Sequence, residues 1–120
     1  MLAKRYRLRK NSEFVATYAQ KKFVSNQYLS LNLGKQKPHN DFISKVAFVV
    51  SKKVDKRAVI RNKIKRRMRE SYKLLITENP NYQHWISLIF AAKQGFLTAD
   101  FNLIKSQMEH ALNKALVKYD

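Results

Sequence analysis

Between Lys52 and Arg69 the chain carries ten basic residues, Lys52, Lys53, Lys56, Arg57, Arg61, Lys63, Lys65, Arg66, Arg67 and Arg69, against one acid, Asp55. Cations at this density attract polyanions and displace their counterions, which is the chemistry of nucleic-acid binding. Arginine adds a planar fork of donors for phosphate and a surface that stacks on bases. Asn62, set among these cations, can donate and accept at a base or ribose edge. A charged helix face that only meets water usually mixes its signs to gain pairs one turn apart. Here the signs do not mix, and the self-repulsion is left for a bound polyanion to relieve.

Other chemistry is thinly represented. His39, His84 and His110 are scattered without the spacing of metal ligands, and no local Ser or Cys nucleophile pattern occurs. No catalytic residue and no protein-held metal is therefore expected. The absence of Cys excludes disulfides and thiolate-bound zinc and suits a reducing cytoplasm. No apolar core follows the basic residues Lys4, Arg5, Arg7, Arg9 and Lys10. The longest apolar stretch, Trp85 to Ala92, is internal and too short to span a bilayer. The expectation is a soluble cytoplasmic protein.

A net charge of +17 in 120 residues would disorder a chain poor in apolar groups, but 45% of this one is hydrophobic and 12% aromatic. One folded domain, residues 1–120, is predicted. Its elements can be placed from periodicity. Asn11 or Ser12 can cap a first helix with Glu13 in its opening turn, and Phe14 and Tyr18 share one face at i, i+4. Tyr28 to Leu33 alternates strictly, with Leu29, Leu31 and Leu33 on one side, as a half-buried strand does. A polar turn from Gly34 to Asp41 then leads to a second strand, Lys45 to Ser51, and the two are expected to form a hairpin.

Lys56 to about Ile76 reads as the longest helix, with Ile60, Ile64, Met68, Tyr72 and Leu75 on one arc and Pro80 just past its end. At roughly 100° per residue, Asn62, Lys63, Lys65, Arg66 and Arg69 fall outside that arc. One helix thus has a core face and a cationic face. Trp85 to Ala91 reads as a central strand buried on both sides, and Thr98 as the cap of a last helix whose stripe is Phe101, Ile104, Met108, Leu112 and Leu116. With one further short strand, the order is α-β-β-β-α-β-α.

The string SKKVDKRAVIRNKIKRRMRE, Ser51 to Glu70, resembles the signature of the bacterial ribonuclease P protein subunit, an SKK turn followed by an A-x-x-RNRIKR helix. Ala58, Arg61, Asn62, Ile64, Lys65 and Arg66 stand in register with it. RLRKNSEF (Arg7 to Phe14) looks like the start of that family's first helix, and FAAKQG (Phe90 to Gly95) like the exit of its last strand. Lys63 replaces the second Arg of RNR, which keeps the charge but not the bidentate fork.

The resemblance implies an α+β fold, a single-domain α/β sandwich. Its mostly antiparallel sheet of about four strands is packed by helices, with a left-handed β-α-β crossover where sequence rules alone predict a right-handed one. It implies a subunit of an endoribonuclease in tRNA 5′ maturation, in which a catalytic RNA and its bound Mg²⁺ carry the chemistry. The implied partners are ribonuclease P RNA, taken up by a protein monomer at one copy per RNA, and the 5′ leader of precursor tRNA.

By resemblance, Arg57, Arg61, Asn62, Lys63, Lys65, Arg66, Arg67 and Arg69 face the catalytic RNA. Phe14, Tyr18, Ser51, Lys52, Lys53 and Lys93 line a cleft for the single-stranded leader. Read without the family, Phe14 and Tyr18 at i, i+4 are core packing. Many relatives carry another aromatic where this chain has Leu31, and Tyr28 alternates in the opposite phase. Size and charge alone would also fit a ribosomal protein or RNA chaperone. A membrane-surface helix is disfavoured, because the apolar stripe of the basic helix lacks Trp or Phe anchors.

Overall fold

The structure, a computed structural model, describes residues 4–39 and 42–119. Its elements run α1 (Asn11–Ala19), β1 (Lys22–Ser25), β2 (Leu29–Leu33), β3 (Lys45–Val49), α2 (Ala58–Glu78), β4 (Ser87–Ala92) and α3 (Phe101–Tyr119), with short 3-10 turns between some of them. The four strands form one sheet in the order β1-β2-β4-β3. Its β1–β2 and β2–β4 pairs are antiparallel, and its β4–β3 pair is parallel. This is the mixed, mostly antiparallel sheet expected. Asn40 and Asp41, the end of the predicted Gly34 to Asp41 turn, lie outside the described residues.

The expected hairpin between β2 and β3 does not form. β4 lies between them, and the hairpin partner of β2 is β1. Leu88, Ile89 and Phe90 are fully buried, so β4 needs a strand on each edge and cover on each face, which only an interior position supplies. The segment from 34 to 44 is also much longer than a usual hairpin loop and leaves room for one strand. Asn26 closes the true hairpin, its Oδ1 accepting the N–H groups of Tyr28 at 2.8 Å and Leu29 at 3.0 Å.

Alternation divides the sheet into two faces. Leu29, Leu31, Leu33, Val46, Leu88 and Phe90 point into the main core with Ile64, Met68, Tyr72 and Leu75 of α2 and Ile104, Met108 and Leu112 of α3. Each such side chain contributes about 1.5 to 3 kcal/mol by leaving water. Ala47 and Ile89 point the other way, under α1, with Leu8, Phe14 and Val49. The parallel strands β3 and β4 are joined through α2, which sets the basic helix beside the edge strand β3.

Several helix starts differ from expectation. Asn11 is already helical, and the Glu13 carboxylate accepts the Lys10 N–H at 3.3 Å. Asp55 accepts the Arg57 N–H at 2.8 Å, which holds Arg57 extended, so α2 begins at Ala58 and not at Lys56. Asp100, not Thr98, caps α3 by accepting the Leu103 N–H at 2.8 Å; Thr98 is spent in the 3-10 turn before it. No helix is long and apolar enough to cross a membrane among the described residues.

Candidate nucleic-acid interface

α1 crosses the strands on the face that α2 and α3 leave open. The Glu13 carboxylate accepts from Lys45 Nζ at 2.9 Å at the start of β3, and Thr17 Oγ1 lies 2.6 Å from Ser87 Oγ at the start of β4. Thr17 donates to its own helix at Glu13 O, 2.7 Å away, so the Ser87 hydroxyl is the donor between the two. Gly34 makes the lock possible, because a Cβ there would stand 2.1 Å from Ser87 Oγ. These bonds fix α1 over the strand starts and leave the rest of that face open as a floor.

Two consequences are measurable. Thr17→Val leaves the buried Ser87 hydroxyl without its acceptor and is expected to cost about 1 to 3 kcal/mol in urea unfolding, with partial recovery in the Thr17→Val/Ser87→Ala pair. Glu13 is held below the usual carboxylate value of 4.5 chiefly by its bond from Lys45, with burial opposing. A depressed carboxyl contributes stability above its unfolded value and loses it as pH falls through the folded one. Glu13→Gln is therefore less stable than the parent at neutral pH, and urea midpoints of the two should converge below about pH 4.5.

Phe14 and Tyr18 emerge on the floor side of α1. Phe14 is half-buried against Leu8, Ala47, Ile89 and Val49, so it is both a packing residue and part of the cleft wall. Tyr18, one turn on, is 47% exposed. Leu31 is fully buried on the opposite face, and Tyr28 stacks on Phe96 with centroids 6.1 Å apart; neither supplies a further aromatic to the cleft. Ser51, Lys52 and Lys53 are exposed just after β3, and Lys93 lies just after its parallel neighbour β4, so all four share one end of the sheet. The ends are tied where Gln94 Nε2 donates to Lys53 O at 3.1 Å. Lys93 gives two of its three donors to Ser25 Oγ and Asn26 O, each at 2.7 Å, which holds its ammonium group at this end of the sheet.

The polar residues at the start and along the outer side of α2 fall into three groups. Asn62, Lys63 and Arg66 are exposed on the outer surface. Arg57 is bidentate on Asp55, at 3.1 and 3.0 Å, while Arg61 donates to the carbonyls of Asp55 and Lys56 at 3.1 and 2.7 Å. These bonds hold the turn before α2, and Arg57 in turn keeps the Asp55 carboxyl below its ordinary range. Arg67 donates to Ala99 O at 3.2 Å and ties α2 to the start of α3. Lys65 and Arg69 turn toward β3 and line a groove of about 250 Å³ with Arg7, Arg9, Phe14 and Val49.

That groove joins the two predicted surfaces, and Arg7 and Arg9 were not among the expected contacts. The N-terminal segment reaches it by pairing with β3, Leu8 N–H bonding to Val46 O at 2.9 Å. Their basic character was visible in the sequence, but this pairing was not. Among the described residues no three His, Asp or Glu side chains gather where one cation could be held.

Comparison with known proteins places this geometry. A family model described as Ribonuclease P matches residues 2–116. The ribonuclease P protein component of Caldanaerobacter subterraneus is 32% identical over 114 residues, covering 95% of this chain and 92% of that one. That of Clostridium botulinum strain Langeland is 37% identical over 112 residues, covering 93% and 96%. The solved RNase P protein of Staphylococcus aureus superposes with a TM-score of 0.75 at 30% identity, covering 92% of this chain and 94% of that one. The chain belongs to the ribonuclease P protein family.

Proposed function

We propose that this chain is the cytoplasmic protein subunit of ribonuclease P. In this reading it binds a catalytic RNA and the 5′ leader of precursor tRNA, and so promotes Mg²⁺-dependent endonucleolytic removal of the leader. The chemistry then belongs to the RNA and its bound Mg²⁺. The protein contributes charge neutralisation and positioning.

The observation that carries the reading is the adjacency of two different RNA-type surfaces within a matched family. Asn62, Lys63 and Arg66 present an exposed cationic helix face suited to the phosphates of a folded RNA. On the other side of β3, Phe14 and Tyr18 overlook an open sheet face that ends at Ser51, Lys52, Lys53 and Lys93. Aromatic walls with lysines beside them suit unpaired bases of any sequence, the mode a leader of variable sequence requires. Lys65 and Arg69, between the two, would neutralise phosphates where both RNAs approach.

The test is reconstitution of the chain with a bacterial ribonuclease P RNA at low Mg²⁺, measuring precursor cleavage. Clear stimulation, with precursor bound more tightly than mature tRNA, is expected. Absence of both would leave a general RNA-binding module, such as a ribosomal protein or chaperone, as the better description.

A further inference from the structure

Phe23 is 50% exposed on β1, at the edge of the sheet farthest from the basic helix. Register puts it on the cleft face. It pairs with Asn32, which pairs with Ile89, the floor residue against which Phe14 packs. Strands lie about 4.8 Å apart, so Phe23 stands about 10 Å across the floor from Ile89. α1 runs in the same direction, from Lys45 at β3 past Ser87 at β4 toward β1, so Tyr18 follows Phe14 toward Phe23.

The same edge carries cations. Lys118 Nζ of α3 lies 5.9 Å from the Phe23 ring centroid and 5.2 Å from that of Tyr119. Tyr119 accepts the Phe23 N–H at 3.3 Å and donates to the Phe23 carbonyl at 3.2 Å. The backbone of this edge is thus occupied at Phe23, which blocks addition of a peptide strand there, while the ring remains half open.

We infer that the leader track does not end at Tyr18 but continues across β2 to the β1 edge, where Phe23 stacks on a further unpaired base and Lys118 meets its phosphate. This deepens the leader-binding reading and rests on it. An exposed aromatic beside a lysine, in line with two aromatics already on the floor, is the arrangement that single-strand binders use without sequence preference.

The experiment uses the reconstituted holoenzyme and precursor tRNAs with leaders of roughly two to roughly twelve nucleotides, a span bracketing the usual footprint of such sites. Phe23→Ala and Phe23→Leu should each weaken binding of the longer leaders about five- to tenfold. Binding of the shortest leader should not change, and Phe23→Trp should retain long-leader affinity. Lys118→Ala should lower the salt slope by about 0.7 for long leaders only. Phe23→Leu keeps apolar bulk at the edge, and urea midpoints verify that the variants fold.

Equal loss at every leader length, or none at any, overturns the extension. Tyr18→Ala in the same series separates the two levels. If it weakens leader binding while the Phe23 variants do not, only the extension fails. If it too is silent, the leader cleft itself fails and the extension falls with it.

Discussion

Replacing Tyr18 with Ala should cost the holoenzyme about 1 to 3 kcal/mol of affinity for precursor tRNA, roughly five- to hundredfold, and leave binding of mature tRNA unchanged. The size follows from losing one aromatic–base stack. The clean separation follows from exposure. Tyr18 is 47% exposed and its side chain makes no hydrogen bond to another element among the described residues, so unfolding in urea should shift by no more than about 0.5 kcal/mol. Phe14→Ala is the less informative substitution, because Phe14 also packs on Ala47, Ile89 and Val49 and its loss lowers stability as well. Filter binding of precursor and mature tRNA side by side decides the matter. Equal loss for both substrates would remove Tyr18 from the leader cleft.

The second large effect is expected on the opposite surface. The Lys63→Ala/Arg66→Ala pair should weaken binding to ribonuclease P RNA roughly 10- to 100-fold and reduce the slope of log affinity against log salt by about 1.5 to 2 units. Both side chains are exposed on the outer face of α2, so the loss is of phosphate contacts and not of folding energy. Arg61 and Arg67 make the contrast. Their guanidinium groups hold the carbonyls of Asp55, Lys56 and Ala99, so Arg61→Ala and Arg67→Ala should each lower stability by about 1 kcal/mol. A titration of the RNA at several salt concentrations, with urea unfolding of the free protein alongside, separates the two classes. A salt slope unchanged in the double variant would move the RNA interface elsewhere.

The contrast between Arg66 and Arg67 marks the limit of what periodicity can say. Both are cations one position apart in the same string, and helical phasing puts Arg66 far from the main stripe of α2 and Arg67 only at its border, with no sign of a partner. Only the approach of the Ala99 carbonyl from the turn before α3 makes one of them a structural tie. In the same way, sequence identified Phe14 and Tyr18 as a pair on one helix face. Whether they serve the core or a cleft depended on the other helices. α2 and α3 both pack on the Leu31 side of the sheet, so α1 lies alone over the Ile89 side and leaves part of it open.

What the sequence by itself determined is what depends on local order. The 3.6-residue stripe from Ile64 to Leu75 specifies an amphipathic helix, the alternation Leu29, Leu31, Leu33 specifies a strand with one wet side, and ten cations against one acid in the Lys52 to Arg69 run favour a polyanion as partner. The RNKIKR string added the family. Tertiary structure alone decided that β4, buried on both faces, separates β2 from β3. It brought Arg7 and Arg9 to the groove beside Lys65 and Arg69, and it set Phe23 on the same floor as Phe14. Those are contacts between segments distant in the chain. They are chosen by competition among strands for edges and faces, and no window of neighbouring residues contains that competition.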